Sequence, residues 1–159
     1  VYYYTRREIP EELDRQGRAM VSAFKLRGRL FHAEFFELPD GTFRPLEMNL
    51  RPPGGFSLDL IDYTFDADVY ALWADVVAAV APEPWAHPRK YHCAHASRRA
   101  EKRYRYSHDE LVWALGPSLM TARAMPAALA HAMGDQLYIV RHESERELLR
   151  LIGLVHATA

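Results

Sequence analysis

The sequence predicts an α+β fold, an antiparallel sheet with packed helices followed by a small α+β tail. Three observations point there. Two extended runs rich in Phe and Leu flank Pro39-Asp40-Gly41, a turn signal that rests on a fixed φ and a permissive glycine. Segments with apolar residues at helical spacing stand between such extended runs rather than in one block. Two Ser-x-x-Glu capping boxes, Ser107 with Glu110 and Ser144 with Glu147, open helices among the later strands. At 159 residues and 49% hydrophobic content, the chain is long enough for one substantial core or two small ones.

Pro10 begins a helix from about Glu11 to Phe24, with Leu13, Ala19, Met20 and Ala23 in loose helical spacing and acidic residues at its start. It is expected to pack under the hairpin. Gly28 ends the connection, and Arg29 to Glu37 forms the first hairpin strand. Ser57 caps a helix through Leu58, Ile61 and Asp62, and a second run from Asp66 to Val80 carries Val69, Leu72, Trp73, Val76 and Val80 at helical spacing. Both read as core helices, with Asp66 and Asp68 as acids favoured by the helix start. Pro82, Pro84 and Pro88 break the pattern and divide the chain into domains 1–85 and 86–159. Beyond them, Lys90 to Ser97, Leu119 to Ala124 and Leu137 to Arg141 read as strands, the last preceded by a Gly134-Asp135 turn. Gly116-Pro117 stops the helix opened by Ser107, and Leu148, Leu149, Ile152 and Val155 form the apolar stripe of a final helix.

The chemistry sits in residues 31–55, FHAEFFELPDGTFRPLEMNLRPPGG. With a loop of Pro39 to Thr42, Glu34 falls directly across from Glu47. Alternation along the second strand puts Glu47, Asn49 and Arg51 on one face and turns Leu46, Met48 and Leu50 into a core. Opposed carboxylates with Cβ atoms about 5 Å apart repel by roughly 3 kcal/mol at an effective dielectric near 20. A divalent cation such as Mg²⁺ or Mn²⁺ offsets that repulsion, since these ions prefer hard oxygen ligands. Glu34, Glu47 and the Asn49 carbonyl supply the protein's share, and Arg51 offers a guanidinium fork to a bound phosphate or carboxylate. Set against this is a solvated face that merely carries charges. Pro45 removes a ladder donor just before the site and marks an edge or a bulge.

This segment, with Leu46-Glu47-Met48-Asn49-Leu50-Arg51 running into Pro52-Pro53-Gly54-Gly55, resembles the metal-binding end of the ATP-grasp superfamily and is most similar to its biotin carboxylase and carboxylate-amine ligase branch. The resemblance implies the C-terminal half of an ATP-grasp fold. It also implies that Glu34, Glu47 and Asn49 hold magnesium ions bridging ATP phosphates, with Arg51 as the phosphate or acyl-phosphate contact. The activity implied is a Mg²⁺- and ATP-dependent ligase that activates a small carboxylate as an acyl phosphate for attack by an amine or another nucleophile. The alternative is a non-catalytic nucleotide- or metal-binding module with a degenerate grasp fold, used for regulation.

Family enzymes hold ATP between two lobes with lysines and a Gly-rich loop placed upstream of the metal strands. Here the lysines are Lys25, Lys90 and Lys102, and the chain enters at Val1 with Tyr2-Tyr3-Tyr4 as if partway through a fold. The expectation is therefore a C-terminal portion of a longer enzyme, inactive alone, whose partner is its own missing N-terminal lobe. Apolar surface left around Tyr2 to Tyr4 would then favour homo-oligomers.

A net charge of −1 counts against nucleic acid or an acidic membrane surface as the main partner. A single cysteine, Cys93, suits a cytoplasmic protein, and no apolar run approaches the length of a membrane span. Two rival sites stand beside the hairpin. His92-Cys93-Ala94-His95 has zinc-type ligands but no fourth at a familiar spacing, so a structural role is favoured. Arg89 to Tyr106 interleaves arginines with tyrosines, as single-stranded nucleic-acid sites do, but a solvated, charge-neutralised strand pair is favoured over that; a third option, which fits the family resemblance better, lets Arg98 and Arg99 reach an anionic substrate or ATP phosphate.

Overall fold

A computed structural model describes residues 1–80 and 85–159. Its strands are β1 (Tyr2–Thr5), β2 (His32–Glu37), β3 (Phe43–Asn49), β4 (His92–Arg98), β5 (Leu119–Ala124) and β6 (Gln136–His142). Its helices are α1 (Glu11–Ala23), α2 (Ser57–Phe65), α3 (Val69–Val77), α4 (His108–Leu115), α5 (Ala127–Met133) and α6 (Glu145–His156). This is the predicted α+β class, with an antiparallel sheet and packed helices. Pro82 and Pro84, where the sequence places a domain boundary, lie outside the described residues. Among the described residues no helix is long and apolar enough to cross a membrane.

Contacts divide the chain into two units, Val1–Arg7 with Asp59–Ala67 and His87–Ala159, and Glu8–Leu58 with Asp68–Ala86. The first is built on a four-stranded antiparallel sheet in the order β1-β4-β6-β5. Ala94 and Ala96 of β4 and Tyr138 and Val140 of β6 join Leu111 and Leu115 of α4 and Leu148, Leu151, Ile152 and Val155 of α6 in one buried cluster. Alternation makes this possible, because residues two apart on each strand face the helices together. Both predicted helix starts are capped: Ser107 and Glu110 make a reciprocal box, and Ser144 accepts from the Glu147 N–H. The other sheet face is covered by the later part of α2, where Thr64 is buried and Tyr63 hydrogen-bonds Thr121 of β5.

The second unit holds α1, the β2–β3 hairpin, the start of α2, and α3. Gln16 of α1 donates to the Phe43 carbonyl at 3.1 Å, which ties the helix to the hairpin, but α1 has no buried residue. Its interior is thin. Among the described residues, the buried hydrophobic ones of this unit are Phe56, Leu58 and Val69. Leu46 and Leu50, expected in a core, are 54% and 48% exposed, because β2 and β3 form a two-stranded sheet and no third described strand pairs with it. Helix α3 departs from expectation in the same way: it buries Val69, while Trp73, Val77 and the following Val80 stay exposed. An apolar helix buries only what a neighbour covers.

Three further differences have local causes. Asp68 caps α3 by accepting from the Ala71 N–H, but Asp66, with φ 56°, leaves the helix start and pairs with Lys90 and Arg141. Those two cations hold its carboxyl below the usual carboxylate range, the arginine hydrogen bond contributing most. Tyr2 to Tyr4, expected as apolar surface, form β1: Tyr3 stacks on His95 with ring centroids 4.6 Å apart and Tyr4 donates to Glu145, while Tyr2 stays 52% exposed. The short α5, entered through Pro126, has no strong apolar period to announce it.

Candidate functional site

The hairpin turn closes as its residues dictate. Leu38 and Thr42 pair through the backbone at 2.8 Å, Gly41 takes φ 79°, and Asp40 accepts from both the Thr42 N–H and its hydroxyl. Those hydrogen bonds hold the Asp40 carboxyl below its ordinary range, the hydroxyl contributing most. Such a turn fixes the strand register. Beside the turn Leu38 pairs with Thr42 and Glu37 with Phe43, one residue off the expected Pro39 to Thr42 loop. That register carried straight on would put Glu34 opposite Leu46; Glu34 instead stands opposite Glu47, and His32 opposite Asn49. Past Glu34 the register shifts, with Phe35 opposite Pro45, so Leu46 is the extra residue of a β-bulge. Pro45 sits beside it, at the kind of position its missing donor requires.

Glu34 and Glu47 therefore share one face, and the face is shared with a residue the sequence reading passed over. One ligand atom from each of His32, Glu34 and Glu47 lies within 4.8 Å of the other two. His32 Nε2 is 3.7 Å from Glu34 Oε1, and the Asn49 amide nitrogen donates to Glu47 Oε1 at 2.6 Å. Each carboxylate thus has a polar neighbour that tempers the repulsion between them. The signal for His32 was present in the sequence as His-x-Glu, two apart on a strand and so on one face.

With the Asn49 nitrogen committed to Glu47, its carbonyl oxygen is left as an acceptor. Two carboxylates, an amide oxygen and an imidazole are a donor set that fits a divalent cation. Arg51 lies beyond the last residue of β3 rather than one repeat further along the ladder. Its guanidinium donates to the Pro52 carbonyl at 3.1 Å, and its own carbonyl meets the His32 Nδ1 at 3.1 Å. Arg51 also lines an open cavity of about 410 Å³ with Pro52, Pro53, Leu58, Tyr70 and Trp73. A guanidinium beside two aromatic side chains makes that cavity suited to an anionic group attached to an apolar body.

The rival sites look structural. Cys93 is fully buried, and burial pushes its thiol up to about 12, far from nucleophilic thiolate chemistry. The His32, Glu34 and Glu47 cluster is the group of potential metal ligands found among the described residues, and His92-Cys93-Ala94-His95 does not form one. Arg98 is buried and donates to the Val155 and Tyr106 carbonyls at 2.7 Å while its guanidinium lies over Tyr104. Arg99 donates to the His131 carbonyl at 2.9 Å. Both arginines thus hold the backbone together.

No family profile matches the sequence, and no curated protein matches it. Solved structures do. Phosphoribosylglycinamide synthetase from Anaerococcus prevotii superposes with a TM-score of 0.66 at 11% identity, over 98% of this chain and 43% of that one. The phosphoribosylaminoimidazole carboxylase ATPase subunit from Aquifex aeolicus superposes with a TM-score of 0.62 at 14% identity, over 98% of this chain and 45% of that one. Both are ATP-grasp enzymes, and the fold matched is the C-terminal half of ATP-grasp structures. The chain spans less than half the length of these structures.

Proposed function

We propose that this chain is the C-terminal catalytic lobe of a cytoplasmic ATP-grasp ligase of the biotin carboxylase or carboxylate-amine ligase type. The reaction is activation of a small carboxylate as an acyl phosphate, followed by attack of an amine or another nucleophile. The observation that carries this reading is the in-register pair Glu34 and Glu47, with Asn49 on the same face, on the hairpin of an ATP-grasp fold. A magnesium ion held there would supply the positive charge that offsets the charge developing in phosphoryl transfer. Glu34, Glu47 and Asn49 would hold it, Glu47 kept in place by the Asn49 amide. Arg51 would steady the transferred phosphate or the acyl phosphate from the cavity beside the hairpin.

In this reading the catalytic domain expected over residues 1–85 and the tail expected over residues 86–159 are not separate bodies, since β1 and the later part of α2 belong with residues 87–159. An N-terminal lobe of the same enzyme would supply the lysines and Gly-rich loop for ATP and would cover the thin interior of the hairpin unit, where Leu46, Leu50 and Val77 are exposed. The chain alone then binds Mg²⁺ weakly and turns over no ATP, because two carboxylates and an amide give only part of an octahedral shell.

The test is ADP release by the intact parent enzyme across candidate carboxylates and amines. Glu47→Gln is expected to abolish release. Arg51→Lys is expected to lower turnover by tenfold or more, on the order of one hydrogen bond made in the transition state, because a point charge replaces a planar fork. Unchanged kinetics in Arg51→Lys and Arg51→Ala would remove Arg51 from the mechanism. ADP release that survives Glu47→Gln would refute the metal assignment, and a parent enzyme that binds ATP without turnover would establish the regulatory alternative.

A further inference from the structure

His32 is the member of the acidic face that the E-x-N-x-R pattern does not supply, and its setting is specific. The hairpin register puts it opposite Asn49, one ladder step from the Glu34 and Glu47 pair. Its Nδ1 lies 3.1 Å from the Arg51 carbonyl oxygen. A carbonyl oxygen only accepts, so Nδ1 carries a proton and the ring's remaining lone pair belongs to Nε2. That atom lies 3.7 Å from Glu34 Oε1, inside the cluster it forms with Glu34 and Glu47. An imidazole anchored to a backbone carbonyl through its far nitrogen is how proteins fix the tautomer and aim of a metal-binding histidine.

We propose that His32 Nε2 is a metal ligand alongside Glu34 and Glu47, so that the face takes a first-row transition ion such as Mn²⁺ in preference to Mg²⁺. The inference rests on the reading of this face as a divalent-cation site and goes beyond it in ligand set and in ion. Mg²⁺ demands oxygen ligands at about 2.0–2.1 Å, whereas transition ions accept an imidazole nitrogen. Ligand atoms around one ion of that size stand roughly 3–4 Å apart. The His32 to Glu34 distance of 3.7 Å already falls in that range. The Glu47 ligand atom lies within 4.8 Å of the other two. The competing state is an imidazolium paired with Glu34, and the metal displaces its Nε2 proton to solvent.

The experiment is titration of the chain with Mn²⁺ alone, followed by electron paramagnetic resonance, with Mg²⁺ as competitor. Pulsed resonance on the Mn²⁺ complex reads nitrogen coordination directly, through a ¹⁴N coupling that becomes a ¹⁵N coupling when histidine is ¹⁵N-labelled; this arm needs no variant. The expected result is a histidine nitrogen coupling and Mn²⁺ binding at least about tenfold tighter than Mg²⁺, with His32→Ala removing the coupling and weakening Mn²⁺ by about ten- to a hundredfold while Mg²⁺ is unchanged. Glu47→Gln should weaken both ions. An Mn²⁺ complex that lacks the coupling, is indifferent to His32→Ala and is still weakened by Glu47→Gln overturns this inference and leaves the cation site standing. Binding that Glu47→Gln does not weaken overturns both.

Discussion

Lowering the pH from 7.5 to 4.5 should destabilise the sheet unit through one buried side chain, His95. It lies on β4 with no exposed surface, stacked against Tyr3. Burial disfavours the imidazolium and pulls the group from 6.5 down to about 4, with the nearby positive N-terminus and His156 acting in the same direction. In the unfolded chain it titrates near its ordinary value. Between those two points the unfolded state holds a proton that the folded state does not, so stability is fully present above about 6.5 and is lost as pH falls toward about 4. The gap corresponds to about 3 kcal/mol, at no more than about 1.4 kcal/mol for each pH unit. Carboxylates held low by their partners, such as Asp66 and Glu147, lose stability in the same direction at lower pH. The measurement therefore has to be a difference. Urea unfolding followed by circular dichroism at pH 7.5, 6.5, 5.5 and 4.5 should show a steeper loss for the natural chain than for His95→Phe, which keeps a ring against Tyr3 but cannot titrate. Parallel curves for the two proteins would refute the assignment, as would a titration near 6.5 of the His95 imidazole in the folded protein, identified by its absence from His95→Phe, by nuclear magnetic resonance.

Two other perturbations test the same unit. Gly134 takes φ 92°, and a Cβ there would stand 2.8 Å from Ser97 Oγ and 2.9 Å from the Arg98 carbonyl oxygen, so Gly134→Ala should destabilise by about 2 kcal/mol or more in urea unfolding; a loss within a few tenths would show that the β4 backbone yields freely. Cys93 should resist Ellman's reagent in the folded protein at pH 8 and react at the ordinary thiol rate in 6 M guanidinium, and rapid native labelling would contradict its burial.

The parts of the chain that sequence reading recovered are those whose causes are local. The Pro39-Asp40-Gly41 turn and the bulge that Pro45 announces together bring Glu34 opposite Glu47, since the register beside the turn would by itself put Glu34 opposite Leu46, and period-two alternation puts Asn49 on the same face. The capping residues Ser107 and Ser144 announce α4 and α6 within a few positions. What stayed hidden depends on partners far away in the chain. Three tyrosines and a threonine have strand propensity, but β1 exists because Tyr2 pairs with Ala96. Alternation separates Leu46 and Leu50 from the acidic face without saying whether anything covers them, and here they are exposed. His32 joins the site only through the combination of register and an Arg51 carbonyl placed after the strand has ended. Arg98, legible as a charge, is spent on carbonyls that α6 and the loop before α4 bring to it.

The pairing of β1 with β4 also bears on the order in which the molecule assembles. The sheet unit is discontinuous in sequence, and residues 8–58 and 68–86 lie between its pieces. During synthesis at about 5–20 residues per second, the Tyr2 to Thr5 segment waits several seconds for the β4 residues that complete its ladder. The hairpin, by contrast, needs only residues 32–49, which pair with their own neighbours in sequence. Long-range closure of this kind slows folding, because the entropy of joining distant segments is lost before any contact rewards it. A ribosome-bound chain should therefore present a formed acidic hairpin while its first strand is still searching for an edge.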